Sequence, residues 1–129
     1  MDTSVLVSQA QELTRKLDGT PIRPRAVMWV HSEDADTWRL WIVPAPQIKD
    51  KRDFYRQVAE TISRNAETVS GLDVGSVEFV SDDHPAMKGM GRFLNLPGIG
   101  NATFSGNRFN DFYLPEGIVI RMDLQARAA

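Results

Sequence analysis

The feature that most constrains this chain is the uninterrupted apolar run Ala26-Val27-Met28-Trp29-Val30. A strand without polar alternation needs apolar cover on both faces, which places it near the middle of a sheet with other elements packed above and below. The polar segment His31-Ser32-Glu33-Asp34-Ala35-Asp36 follows as a turn. Beyond it, Trp38, Leu40 and Ile42 share one face of a returning strand over 37–43, so the pair reads as an antiparallel hairpin with a longish loop.

Around this hairpin the spacing changes to that of helices. Leu6, Ala10, Leu13 and Leu17 recur on one helical face, with Thr3 or Ser4 as cap and Asp18-Gly19 as the end. Pro21 and Pro24 make the connector stiff. Asp50 opens a second helix expected to run to about Val69, where Ser70-Gly71 stops it, with Phe54, Tyr55, Val58, Ala59, Ile62 and Ala66 as its stripe. Val77 to Val80 reads as a short strand. Asp82 or Asp83 ahead of Pro85 marks the start of a third helix carrying Met87, Met90, Phe93 and Leu94. From Ala102 to Leu124 the chain is strand-like, with turns expected at Asn110-Asp111 and at Pro115-Glu116-Gly117.

The order is therefore α-β-β-α-β-α-β-β, with a third terminal strand if both late turns are used. Hairpins at both ends and helical crossovers between them predict an α+β fold, a mixed or mostly antiparallel sheet with packed helices. At 129 residues the expectation is a single domain over 1–124 and a frayed tail over 125–129.

Composition narrows the chemistry. Cysteine is absent, which excludes disulfides, thiolate nucleophiles and Cys-ligated metals. The formal net charge of −2 provides no overall field for nucleic acid or anionic lipid. The N-terminal residues lack a secretory pattern, and no stretch approaches the roughly 20 apolar residues of a membrane span, so the expected location is cytoplasmic, with no membrane partner.

Candidate sites fall into four groups. Asp82, Asp83 and His84 follow one strand, while His31, Glu33 and Asp34 follow another. Should the first and third strands be neighbours pointing the same way, these groups would converge as a metal site or an acid–base pair. A simpler account has the aspartates capping a helix and the His31 loop solvated, and the spacing matches no established metal or hydrolase motif and identifies no cofactor. Glycines around Lys88, Arg92 and Arg108 suggest an anion cradle, although no dinucleotide or P-loop pattern is completed, and close helix packing explains the glycines as well. Lys49, Lys51, Arg52 and Arg56 gather at a helix start, a weak nucleic-acid signal beside the ordinary solvated face. Finally, Trp38 and Trp41 must point to opposite sheet faces, as must Phe112 and Tyr113, which makes Trp41 and Tyr113 candidate interaction residues.

The expected function is a non-catalytic interaction domain, either self-associating or a small subunit of a larger assembly. The alternatives are a small metal-assisted hydrolase or nuclease using the Asp/His groups, and a weak nucleic-acid binder using the basic helix start.

Overall fold

The apolar run becomes β1 (Ala26–Ser32), the middle strand of a five-stranded sheet, in a computed structural model that describes residues 3–69, 71–109 and 111–124. The tail expected at 125–129 lies outside the described residues. Along the chain come α1 (Ser4–Leu17), β1, β2 (Thr37–Val43), α2 (Lys51–Arg64), a 3₁₀ turn at Val74–Ser76, β3 (Val77–Phe79), α3 (Pro85–Phe93), β4 (Ala102–Phe109) and β5 (Phe112–Met122). The sheet order is β3-β2-β1-β5-β4, with β2 and β3 parallel and every other pair antiparallel. The fold is thus α+β with a mixed sheet.

Both faces of β1 are buried. On the first face, Val27 and Trp29 join Leu40, Ile42, Val77, Ile118 and Ile120 beneath Leu13 and Leu17 of α1 and Phe54 and Val58 of α2. On the second, Met28 and Val30 join Val43, Val119 and Met122 beneath Ala86, Met87 and Met90 of α3. Burying a side chain of this size contributes roughly 1.5–3 kcal/mol, so β1 is held from both sides by the terms that dominate folding. The Trp29 indole N–H donates to the Leu6 carbonyl at 2.7 Å, which satisfies a polar group that would otherwise be costly to bury. At the β3 edge, the Phe79 backbone N–H donates to the Tyr55 hydroxyl at 2.9 Å, occupying one exposed strand donor.

Three expectations are corrected. Helix α2 ends at Arg64, short of Val69, because the Asn65 side-chain amide donates to the Thr61 carbonyl at 2.8 Å while its backbone leaves helical geometry. Ala66 is consequently exposed. Helix α3 is capped by His84, not by Asp82 or Asp83: His84 Nδ1 accepts from the Ala86 N–H at 3.1 Å, and Pro85 takes the first helical position. Its buried face runs through Ala86, Met87, Gly89, Met90 and Gly91, which leaves Phe93 83% exposed instead of in the core. A Cβ at Gly91 would lie 3.3 Å from Leu124 Cβ, so this glycine allows close packing.

The third correction is that Pro115-Glu116-Gly117 forms no turn and β5 runs straight through it. Glu116 pairs with His31 on one side and Ser105 on the other. Pro115 sits beyond the last β1 pairing and opposite Gly106, whose φ of +60° interrupts β4, so its missing N–H costs no ladder bond. Phe109 pairs with Phe112, and Asp111 between them has φ +67°; Asn110 of the expected turn lies outside the described residues. Past the irregularity the hairpin tip turns Phe109 and Leu114 onto the second face.

Gly117 is required because the Phe104 ring lies across it. A Cβ there would fall 2.3 Å from Phe104 Cζ and 2.7 Å from the Trp29 carbonyl oxygen. Gly117→Ala is therefore expected to destabilise the protein by about 1–3 kcal/mol, the usual range for overpacking. Urea unfolding would read this as a lower midpoint with an unchanged slope; an unshifted midpoint would contradict the packing described.

Candidate functional site

Strand direction decides whether the two histidine groups meet. A short turn joins β1 to β2 and makes them antiparallel, and the crossover through α2 returns β3 parallel to β2. Strands β1 and β3 therefore run in opposite directions with β2 between them, and the conditional convergence of His31 with Asp82, Asp83 and His84 does not occur. Among the described residues, no group of His, Asp and Glu is arranged to hold a metal ion.

His31 belongs to the upper rim, beside the β1–β2 turn. Its Nε2 pairs with Asp36 Oδ1 at 2.9 Å, its ring lies 4.8 Å from Trp38, and its buried Nδ1 is 3.5 Å from Glu116 Oε1 without a hydrogen bond. A shallow depression of about 290 Å³ adjoins it, lined by Glu33, Asp34 and Tyr113 among others. Tyr113 is half exposed and carries the Arg108 guanidinium 5.9 Å from its ring centre.

His84 belongs to the second face. Its ring meets Trp41 edge-on at 5.1 Å and Phe112 at 4.7 Å, and Trp41 and Phe112 stand 6.5 Å apart. Phe104 and Phe109 extend the group with an edge contact at 5.5 Å. Trp41 and Tyr113 are thus not brought together: Trp41 joins this aromatic group, and Tyr113 lies with the upper rim. Burial holds the His84 pKa below its ordinary value, and the negative charge of Glu78 opposes that shift in part. The neutral ring is also the form that the cap requires, with Nδ1 as acceptor and the proton on Nε2.

At the lower rim, where β1 begins and β2, β3 and β5 end, a groove of about 570 Å³ is lined by Arg25, Asp82, Asp83, Met87, Lys88, Gly91, Arg92 and Leu124. Arg25 Nη1 donates to Asp82 Oδ2 at 3.0 Å and its Nε to the Pro44 carbonyl at 2.9 Å. Lys88 and Arg92 project one turn apart along α3 into the same groove, whereas Arg108 does not line it. Of the basic residues around α2, Asp50 caps the helix through the Arg52 N–H, and Arg56 is tied to Asp53 and Glu60, which raise its pKa. Lys49 lines an adjoining groove.

Sequence spacing missed Arg25, which sits 57 positions from Asp82 in the chain and meets it only through the fold. It also missed the exposure of Phe93. The pairing of Trp41 with His84 had no signal in the sequence, because it depends on how α3 lies across the sheet. No described helix is long and apolar enough to cross a membrane. Compared with family models, curated proteins and solved structures, the chain matches none.

The cap at His84 generates a pH expectation. A folded-state pKa below the unfolded value near 6.5 means that the unfolded chain takes up the proton more readily. The stabilising contribution of neutral His84 is complete above about pH 6.5 and is lost as pH falls through the folded value. Protonation also removes the Nδ1 acceptor and places a cation at a helix N-terminus. His84→Asn supplies another capping acceptor without a titrating ring. Its urea midpoint should fall less than that of the unaltered protein between pH 7 and pH 5; identical pH profiles would refute the assignment.

Proposed function

We propose that this protein is a non-catalytic interaction domain that associates with a second copy of itself through the sheet face under α3. The observation that carries this reading is the uneven cover of the two faces. The first face lies beneath two helices of 14 residues each, whereas the second has one helix of 9. What α3 leaves is roofed by aromatic rings, with Trp41, Phe104 and Phe109 only partly buried and Phe112 36% exposed, and α3 itself adds Phe93, 83% exposed. Aromatic residues are enriched in the centres of protein interfaces, and soluble homo-oligomers are most often twofold dimers.

The catalytic alternative has less behind it. Asp82 is engaged by Arg25, His84 Nδ1 is engaged by a backbone N–H, and His31 is at the other end of the sheet. The nucleic-acid alternative has as its support only the Lys49, Lys51 and Arg52 side chains, since Arg56 is held by two carboxylates.

Phe93→Asp isolates the interaction from stability, because a side chain this exposed contributes within about 0.5 kcal/mol to folding. The variant should keep the unaltered protein's unfolding midpoint and shift sedimentation equilibrium from dimer to monomer, and Phe112→Asp should do the same to association. An unaltered protein that stays monomeric at high micromolar concentration, or a Phe93→Asp variant that associates normally, would refute the reading.

A further inference from the structure

The small net charge conceals a separation of charge along the strand direction. At the upper rim, the carboxylates of Glu33 and Asp34 have no ion-pair partner among the described residues, Asp36 and Glu116 stand beside His31, and one cation, Arg108, lies over Tyr113. At the lower rim the free groups are mainly cations. Arg23, Lys49, Lys88 and Arg92 have no ion-pair partner among the described residues, while Arg25 and Arg121 are paired with Asp82 and Asp18. Three adjoining grooves of about 570, 450 and 470 Å³ all include Arg25. The field of such a molecule draws anions toward this end despite its formal charge.

The first of these grooves is open to solvent and has the volume of a small ligand. Its volume of about 570 Å³ falls within the roughly 300–1,000 Å³ of ligand pockets. One wall is α3, along which Lys88 and Arg92, four positions apart, present two free cations to the same side. Arg25 stands at the groove with its side chain only 13% exposed, held in place by Asp82 and the Pro44 carbonyl. Leu124 supplies the accessible apolar surface, packed close against Gly91 of α3, with the buried Met87 behind it.

We propose that this groove binds a phosphate monoester, with Lys88 and Arg92 contacting the phosphate and the apolar side chain of Leu124 receiving its organic part. Two free cations, with the ion-paired Arg25 beside them, suit a dianionic tetrahedral group better than a single carboxylate, and an arginine beside a lysine combines directional donors with a mobile point charge. The acids of the groove enter the same account. Asp82 is neutralised by Arg25, whereas the Asp83 carboxylate has no ion-pair partner among the described residues and opposes an incoming anion. Asp83 therefore limits affinity, and removing its charge tightens binding. The site is independent of the aromatic surface: Met87, Lys88, Gly91 and Arg92 line the groove, and at 100° per residue Phe93 projects from the other side of α3.

Isothermal titration of the full chain with inorganic phosphate, glycerol 3-phosphate and acetate tests the proposal. Glycerol 3-phosphate should bind saturably and more tightly than inorganic phosphate, and acetate should not compete. Lys88→Gln and Arg92→Gln should each weaken binding about five- to tenfold, and Asp83→Asn should strengthen it about two- to fivefold, as expected for single charges near a solvated ligand. All three variants should retain the unfolding midpoint and self-association of the unaltered protein, since these side chains are exposed. The proposal is overturned by an absence of saturable binding, by equal binding of glycerol 3-phosphate and inorganic phosphate, or by affinity unaffected in the Lys88→Gln/Arg92→Gln double variant.

Discussion

Two-sided burial of β1 is the constraint on which the rest of the structure depends. Val27 and Trp29 are driven into one core while Met28 and Val30 are driven into the other, so neither layer of helices can be dispensed with. Because β1 must have a strand on each side, the chain's two hairpin-forming regions are brought together: β2 pairs with it along one edge and β5 along the other. The register between β1 and β5 shifts once, between Val27 and Met28, which lets Ile120 reach the first core and Met122 the second.

The two cores are closed by different means, and that difference sets where the protein has free surface. On the first face, α1 and α2 bring long side chains such as Leu13, Leu17 and Phe54 down onto the sheet. On the second, α3 is short and its contact surface includes Gly89 and Gly91, so the helix lies close and covers little width. Close approach leaves a groove along the Lys88–Arg92 side, and narrow cover leaves Trp41, His84 and Phe112 to shield one another. The polar groove and the aromatic surface are both consequences of how a short, glycine-containing helix packs.

Much of the architecture was legible in local spacing. The paired cover of β1, the opposed directions of Trp38 and Trp41, and the helical faces of α1 and α2 all follow from a side-chain period of 2 or 3.6, which neighbours along the chain enforce. The failures have physical causes too. Pro115-Glu116-Gly117 has the residues of a turn, yet Gly117 is there to accommodate the Phe104 ring and Pro115 stands where neither neighbouring strand needs an N–H. Asp82 has the residue type of a cap, yet its carboxylate is satisfied by Arg25, and the histidine next to the proline caps α3 in its place.

The amino-acid sequence by itself determined the kinds and order of elements, the need for two cores and the absence of thiol chemistry, because each of these depends on residue type or on interactions within a few positions. Only the tertiary structure decided that His31 and His84 stand apart, that Arg25 meets Asp82, and that Lys88 and Arg92 border a groove that Arg108 does not line. Those outcomes depend on strand direction and on the angle at which α3 crosses the sheet. Both are set by packing between segments remote in sequence, a long-range term that no local pattern records.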